Sequence, residues 1–175
     1  MRSRTGYVSA GVVVVLAVVL AGVIGCAKAK EPGRYYSDKS FSIRFPDGWE
    51  LKEGFMGVVV AAMSPPEAPG DKIGGNVMVK MENIPPGTTL ADYVTVSLSN
   101  MKKMLTDFEV VEPVDATLGG VAAKGFVYRF RVGEVKLEAL VYFLVKSDQG
   151  YGLTFGASPE NFEKYRPQFE QIAKT

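Results

Sequence analysis

Residues 139–145, Ala139-Leu140-Val141-Tyr142-Phe143-Leu144-Val145, are apolar at odd and even positions alike. Successive side chains of a strand point to opposite faces, so a strand of this composition must be covered on both. Lys136, Glu138 and Lys146 confine the double cover to its middle. Short turns flank the segment. Gly133-Glu134 is a two-residue connection with glycine first, the type II′ preference, and Ser147-Asp148-Gln149-Gly150 turns again on the other side. Such short connections make neighbouring strands antiparallel. An antiparallel sheet buried on both faces needs a helix on each side. The chain is therefore read as α+β, a central antiparallel sheet of about six to seven strands with helices on both faces.

The rest of the chain supplies those elements. Phe41-Ser42-Ile43-Arg44-Phe45 alternates strictly and predicts a half-buried strand. Pro46-Asp47-Gly48 predicts a turn, because proline sets φ, aspartate bonds nearby backbone and glycine accepts the strained position. Trp49 and Leu51 open the next strand, and residues 58–63 and 77–81 continue the sheet. Thr88 or Thr89 is the natural cap of a helix over residues 90–105, with Leu90, Tyr93, Val94, Met101, Met104 and Leu105 as its apolar stripe. A four-strand meander follows: residues 108–117, 121–132, 135–146 and 151–155. Pro113 places the first of these at an edge or a bulge. Ser158, Pro159 and Glu160 start a last helix whose stripe is Phe162, Tyr165, Phe169 and Ile172. Pro167 predicts a kink or restart near Arg166, since it removes a helix hydrogen bond.

The N-terminus reads as an address. Arg2 and Arg4 form a basic start, residues 11–24 are almost wholly apolar, and Gly25 precedes Cys26, the single cysteine. That run matches a secretory h-region and falls short of the ~20 residues of a spanning helix. Val23-Ile24-Gly25-Cys26 resembles the lipobox of bacterial lipoprotein signals. The resemblance implies cleavage before Cys26 and its acylation, with residues 1–25 as signal, 26–34 as acylated start and tether, and 35–175 as the domain. Two or three acyl chains anchor stably where one is marginal. An ordinary secretory signal and an uncleaved single-span anchor are the alternatives. Ala27 after the cysteine favours the outer membrane in a host with two membranes.

Composition narrows the function. The 175 residues carry 20 Lys and Arg against 19 Asp and Glu, so there is no electrostatic footprint for nucleic acid or for anionic lipid, and the acyl chains rather than a basic patch are expected to hold the domain. Histidine is absent, which removes the commonest general base and metal ligand. With Cys26 acylated, no thiol remains for a disulfide, so the exported domain relies on packing.

The order of motifs resembles the PsbP-like proteins, which include the extrinsic PsbP protein of photosystem II and many bacterial lipoproteins. The matching residues are Phe41-Ser42-Ile43-Arg44-Phe45-Pro46-Asp47-Gly48-Trp49, the helix opened by Thr89-Leu90, Gly119-Gly120-Val121-Ala122-Ala123, and Tyr151-Gly152-Leu153-Thr154 leading to the last helix. The resemblance spans about residues 35–173. It implies an α/β/α sandwich at a membrane surface with an accessory role and no catalytic site. Photosynthetic members support the oxygen-evolving centre, some with metal contacts. With no histidine here, no metal residue and no cofactor are carried over.

Candidate sites are few. Residues 64–75 are rich in Pro and Gly, and a loop of that length is more often functional or disordered than idle, so Asp71 and Lys72 at its tip are the candidate partner contact. The methionines, Met78 and Met104 among them, are assigned to packing rather than to a soft metal, and Trp49 to the core. Asp107, Glu109 and Glu112 match no calcium-loop spacing and are read as a solvated strand edge. The expected function is a non-catalytic binding or assembly module, exported and held in the envelope by acyl chains on Cys26, with a protein partner there. The alternative is a carrier of a small apolar ligand in a cavity between sheet and helix. An envelope enzyme is the weakest class, because no motif places a nucleophile beside a base.

Overall fold

The computed structural model describes residues 34–36, 41–54, 57–66 and 74–175. Nine strands and two helices follow in chain order: β1 (Arg34–Tyr36), β2 (Ser42–Arg44), β3 (Glu50–Glu53), β4 (Val60–Met63), β5 (Asn76–Asn83), α1 (Leu90–Met104), β6 (Thr106–Leu118), β7 (Val121–Val132), β8 (Val135–Lys146), β9 (Gln149–Ala157) and α2 (Pro159–Ala173). Seven strands form one sheet in the order β3-β4-β5-β9-β8-β7-β6, antiparallel throughout. The meander β6 to β9 is present as expected, and β5 closes on its last strand. The fold is α+β, with a helix on each face of the sheet.

The parity of β8 sorts the two cores. Leu140, Tyr142 and Leu144 join the core under α2, with Phe155, Phe162 and Phe169. Ala139, Val141 and Phe143 join the core under α1, with Tyr93, Phe126 and Tyr128. Each fully buried large apolar side chain contributes roughly 1.5–3 kcal/mol. Burial therefore holds both helices to the sheet far more strongly than their intrinsic propensities would.

Local chemistry ends the elements where the sequence places them. Thr89 is the α1 cap: its hydroxyl accepts from the Asp92 amide, and the Asp92 carboxylate accepts from the Thr89 amide. In the turn after β2, the Trp49 amide donates to the Pro46 carbonyl at 3.3 Å while Gly48 takes φ +82°. Pro113 lies on β6, which is an edge strand with register shifts between Thr106 and Glu112. The β8–β9 turn is tighter than expected. Only Ser147 and Asp148 lie between the paired Lys146 and Gln149, and both take positive φ.

Four expectations are corrected. β2 does not enter the main sheet; it pairs with β1 in a separate two-stranded sheet, Arg34 opposite Arg44. α2 runs unbroken across Pro167 without a restart. The proline costs about 3 kcal/mol in a helix interior, and burial of Phe162, Tyr165, Phe169 and Ile172 outweighs it. Met104, at the end of the α1 stripe, is 82% exposed, and Leu98 takes a place in that core instead. Met78 is also exposed. The last two share one cause, the uneven cover of the α1 face.

Candidate functional site

α1 packs over β8, β7 and β6, and the sheet continues past it through β9 and β5. Tyr151, Leu153 and Phe155 turn to the α2 face. Alternation then gives the α1 face of β9 to Gly150, Gly152, Thr154 and Gly156. That strip of the sheet carries almost no side chain. At Gly150 an added Cβ would sit 2.6 Å from the Tyr93 ring, so glycine lets α1 approach. At Gly152 the nearest atom to an added Cβ is 3.7 Å away, on Phe143, so nothing in the fold demands glycine there. The result is a groove of about 580 Å³ between α1 and the sheet, within the ~300–1,000 Å³ of ligand pockets. Val141, Phe143, Gly152 and Thr154 floor it, and Val96 and Met104 stand on its helical wall. Both wall residues are well exposed.

One end of the groove is polar and self-neutralised. The Tyr93 hydroxyl donates to Glu82 Oε1 at 2.8 Å, and Lys80 Nζ donates to Glu82 Oε2 at 3.0 Å. Burial raises the Tyr93 pKa well above that of an ordinary phenol, and Glu82 adds to the shift by its hydrogen bond and its charge. Asp92 is held by the Thr89 hydroxyl, and the Thr88 hydroxyl donates to the Pro85 carbonyl. These polar side chains are occupied with one another, which suits recognition rather than proton transfer.

The structure disperses the other candidates. Trp49 is buried in the α2 core. Asp107 receives Arg131 Nε at 2.8 Å, Glu112 receives Arg166, and Glu109 lies within the electrostatic reach of Arg129. These carboxylates are partnered by arginines and not merely solvated. The bond to Glu112 ties α2 to the β6 edge, and Arg166 also donates to Glu170 on its own helix at 3.2 Å. Burial opposes its charge, but the hydrogen bonds it donates to Glu112 and Glu170 outweigh that and raise its pKa. Among the described residues no group of three or more His, Cys, Asp or Glu could hold a metal ion. Cys26, Asp71 and Lys72 lie outside the described residues. The base of the 64–75 loop is described: the Ser64 amide donates to the Gly75 carbonyl at 2.8 Å, and the Ser64 and Tyr165 hydroxyls are 3.1 Å apart. A cavity between sheet and helix was the alternative expectation, but the residues that line this groove were not anticipated. Its one local signal is the alternation Gly150-Tyr151-Gly152-Leu153-Thr154, a strand large on one face and nearly bare on the other.

Several solved structures share the fold. The cyanobacterial PsbP of Synechocystis aligns with a TM-score of 0.61 at 17% identity, covering 87% of this chain and 95% of that one. The protein of unknown function PA94 of Pseudomonas aeruginosa aligns at 0.59 and 18% identity, over 81% and 93%. LpqN of Mycobacterium tuberculosis, involved in cell envelope biogenesis, aligns at 0.58 and 14% identity, over 75% and 78%. At these identities the likeness is one of fold, and it bears out the PsbP-like resemblance. No curated protein matches the chain in sequence. The DcrB family profile matches residues 41–175, from the β2 region through α2, and the chain therefore belongs to the DcrB family.

Proposed function

We propose that this protein is a non-catalytic accessory module of the cell envelope, exported, anchored through acyl chains on Cys26, and working by binding in the groove between α1 and the sheet. The observation that carries the binding reading is the groove itself: largely apolar on its floor, about 580 Å³ in volume, and bounded at one end by polar groups that neutralise one another. The envelope setting is supported by the N-terminal signal pattern and by the fold shared with LpqN, itself involved in envelope biogenesis. Ala27 favours the outer membrane where the host has two.

Two kinds of occupant are separable. A protein partner suits the accessory role, since confinement to a surface lets a weak contact suffice. A small apolar ligand suits the groove's volume, and that observation keeps the carrier reading in place. Asp71 and Lys72 are proposed as a second contact. The register of Met63 with Asn76, and of Asn76 with Gly156, opens the 64–75 loop at the end of the sheet opposite the β8–β9 turn.

The test uses the full chain expressed in a bacterium, with a photo-crosslinking residue at Val96 or at Asp71, beside Gly152→Leu. Leucine would fill the groove floor at an ordinary backbone conformation. Capture of a protein at Val96, lost in Gly152→Leu, supports the partner reading. A small molecule that copurifies and disappears in Gly152→Leu supports the carrier reading. If neither capture nor copurification responds to Gly152→Leu, the groove is not the site. A purified wild type that turns over a substrate would overturn the non-catalytic reading.

A further inference from the structure

A second cleft, of about 240 Å³, lies between β2 and the main sheet. Phe41 and Ile43 form one wall, and Leu118, Leu144 and Leu153 the other. It sits where the β6–β7 and β8–β9 turns come together, beside the end of α2: the Arg44 amide donates to Thr175 Oγ1 at 2.9 Å, and Thr175 also lines the cleft. Lys146 lines it too and is exposed, with no ion pair to a described residue. Asp148 is in the adjoining turn.

The position of this cleft follows from the path of the chain. Arg34, the first residue of β1, pairs with Arg44 of β2. The domain is therefore entered beside the strand that walls the cleft. Seven residues lie between Cys26 and Arg34, eight backbone steps and a span of at most about 28 Å. If Cys26 carries the lipid, the chain from it enters the domain at β1, whose partner β2 walls the cleft. The 64–75 loop leaves the sheet at the end opposite the cleft.

We infer that this cleft takes the end of an acyl chain from an anionic lipid of the bilayer, with Lys146 near the headgroups. The inference rests on the reading of Cys26 as the acylated residue; it goes beyond that reading in assigning a lipid contact to the folded domain. The cleft is smaller than the ~300 Å³ at which pockets enclose whole small ligands, so it suits the end of a chain rather than a whole lipid. Its walls are mostly apolar, with Ser42 and Thr175 among the lining, and although the domain as a whole is near neutral, the single cation Lys146 at the cleft matches an anionic membrane surface locally. A chain end seated there would hold the domain in one orientation, with the α1 groove to the side and Ser64 and Gly75 at the end of the sheet away from the membrane.

The test reconstitutes the full-length, acylated protein into vesicles of phosphatidylcholine and phosphatidylglycerol, the latter carrying a diazirine near the end of one acyl chain. After irradiation, cross-links are mapped on peptides, and the Cys26 peptide from the same digest reports its acylation. Cross-links are expected on the peptides containing Phe41 to Arg44 and Leu144 to Leu153. Val121→Trp, which fills the cleft from its partly exposed rim, should abolish them, and Lys146→Ala should lower them about fivefold. Thermal unfolding of each variant establishes that it is folded. Cross-links spread evenly over the domain, or unchanged in both variants, would overturn the inference. Acylated protein with no vesicle-lipid cross-links in the cleft would overturn it as well, including the case where the protein's own acyl chain fills the space. An unmodified Cys26 would sink the anchor reading by itself, while cleft cross-links found in that protein would still uphold the lipid contact.

Discussion

Phe143 and Phe155 lie on neighbouring strands and serve opposite cores. Phe143 meets the rings of Tyr93 at 5.7 Å and Phe126 at 6.0 Å on the α1 face. Phe155 meets Phe169 at 5.5 Å and Tyr142 at 6.2 Å on the α2 face and is fully buried. Truncation of a core phenylalanine costs about 3–5 kcal/mol, least where the site collapses or fills with water. Phe143 borders the groove, so Phe143→Ala is expected near the low end, about 3 kcal/mol. Phe155→Ala leaves a sealed cavity and is expected near the high end, about 5 kcal/mol. At about 3 °C per kcal/mol for a domain of this size, the melting temperature should fall by roughly 9 and 15 °C. Urea unfolding followed by the fluorescence of Trp49, the single tryptophan, reads both changes. The two rings share no partner in these contacts, so the double variant should be additive within about 0.5 kcal/mol. A cost below about 1 kcal/mol for Phe143→Ala would mean that α1 does not cover the sheet. A coupling above about 1 kcal/mol would mean that β8 and β9 do not separate two cores.

Three further outcomes are expected. An added Cβ at Gly125 would run into the Val141 carbonyl oxygen, whereas one at Gly152 finds only ordinary contacts; Gly125→Ala should cost more than about 3 kcal/mol or prevent folding, and Gly152→Ala should be neutral or stabilising by about 0.4–1 kcal/mol in the same urea assay. Burial raises the Tyr93 and Tyr128 pKa values above the ordinary 10.0. The unfolded chain then loses these protons first, so stability is full below about pH 10 and declines above it. Tyr128→Phe should remove about 1.4 kcal/mol per pH unit from that decline, and an unchanged alkaline slope would refute the assignment. Thr89→Ala breaks the capping box and should cost about 1 kcal/mol, measured by thermal unfolding, while Thr88→Ala should cost less because its hydroxyl bonds only the Pro85 carbonyl in the preceding loop.

What local chemistry dictates was legible before any fold was in view. The double parity of residues 139–145 required cover on both faces, and Tyr142 and Phe143 do face opposite helices. Thr89, Pro46-Asp47-Gly48, Gly133-Glu134 and Pro159 mark ends and turns because each constrains its own backbone. Pro113 announced an edge because it has no amide to donate. The anchor at Cys26 and the contact at Asp71 and Lys72 are also sequence readings, and they await the experiments above.

Other features depend on partners distant in the chain. Nothing in β5 specifies pairing with β9, some 70 residues on; that choice follows from which strand the meander leaves at its open edge. β2 alternates like any sheet strand, yet it pairs with β1 outside the main sheet. Pro167 breaks an isolated helix but not one whose buried ring stripe outweighs the lost hydrogen bond. Met104 reads as a core residue by period and Met78 was assigned to packing, yet both are exposed by position, because α1 lies over β8, β7 and β6 while β9 and β5 extend beyond it. The groove is the consequence of that offset. Sequence periodicity determined which face of each element turns inward; only the packing of one helix on a wide sheet decided which of those faces would stay uncovered, since cover depends on where a distant element comes to rest.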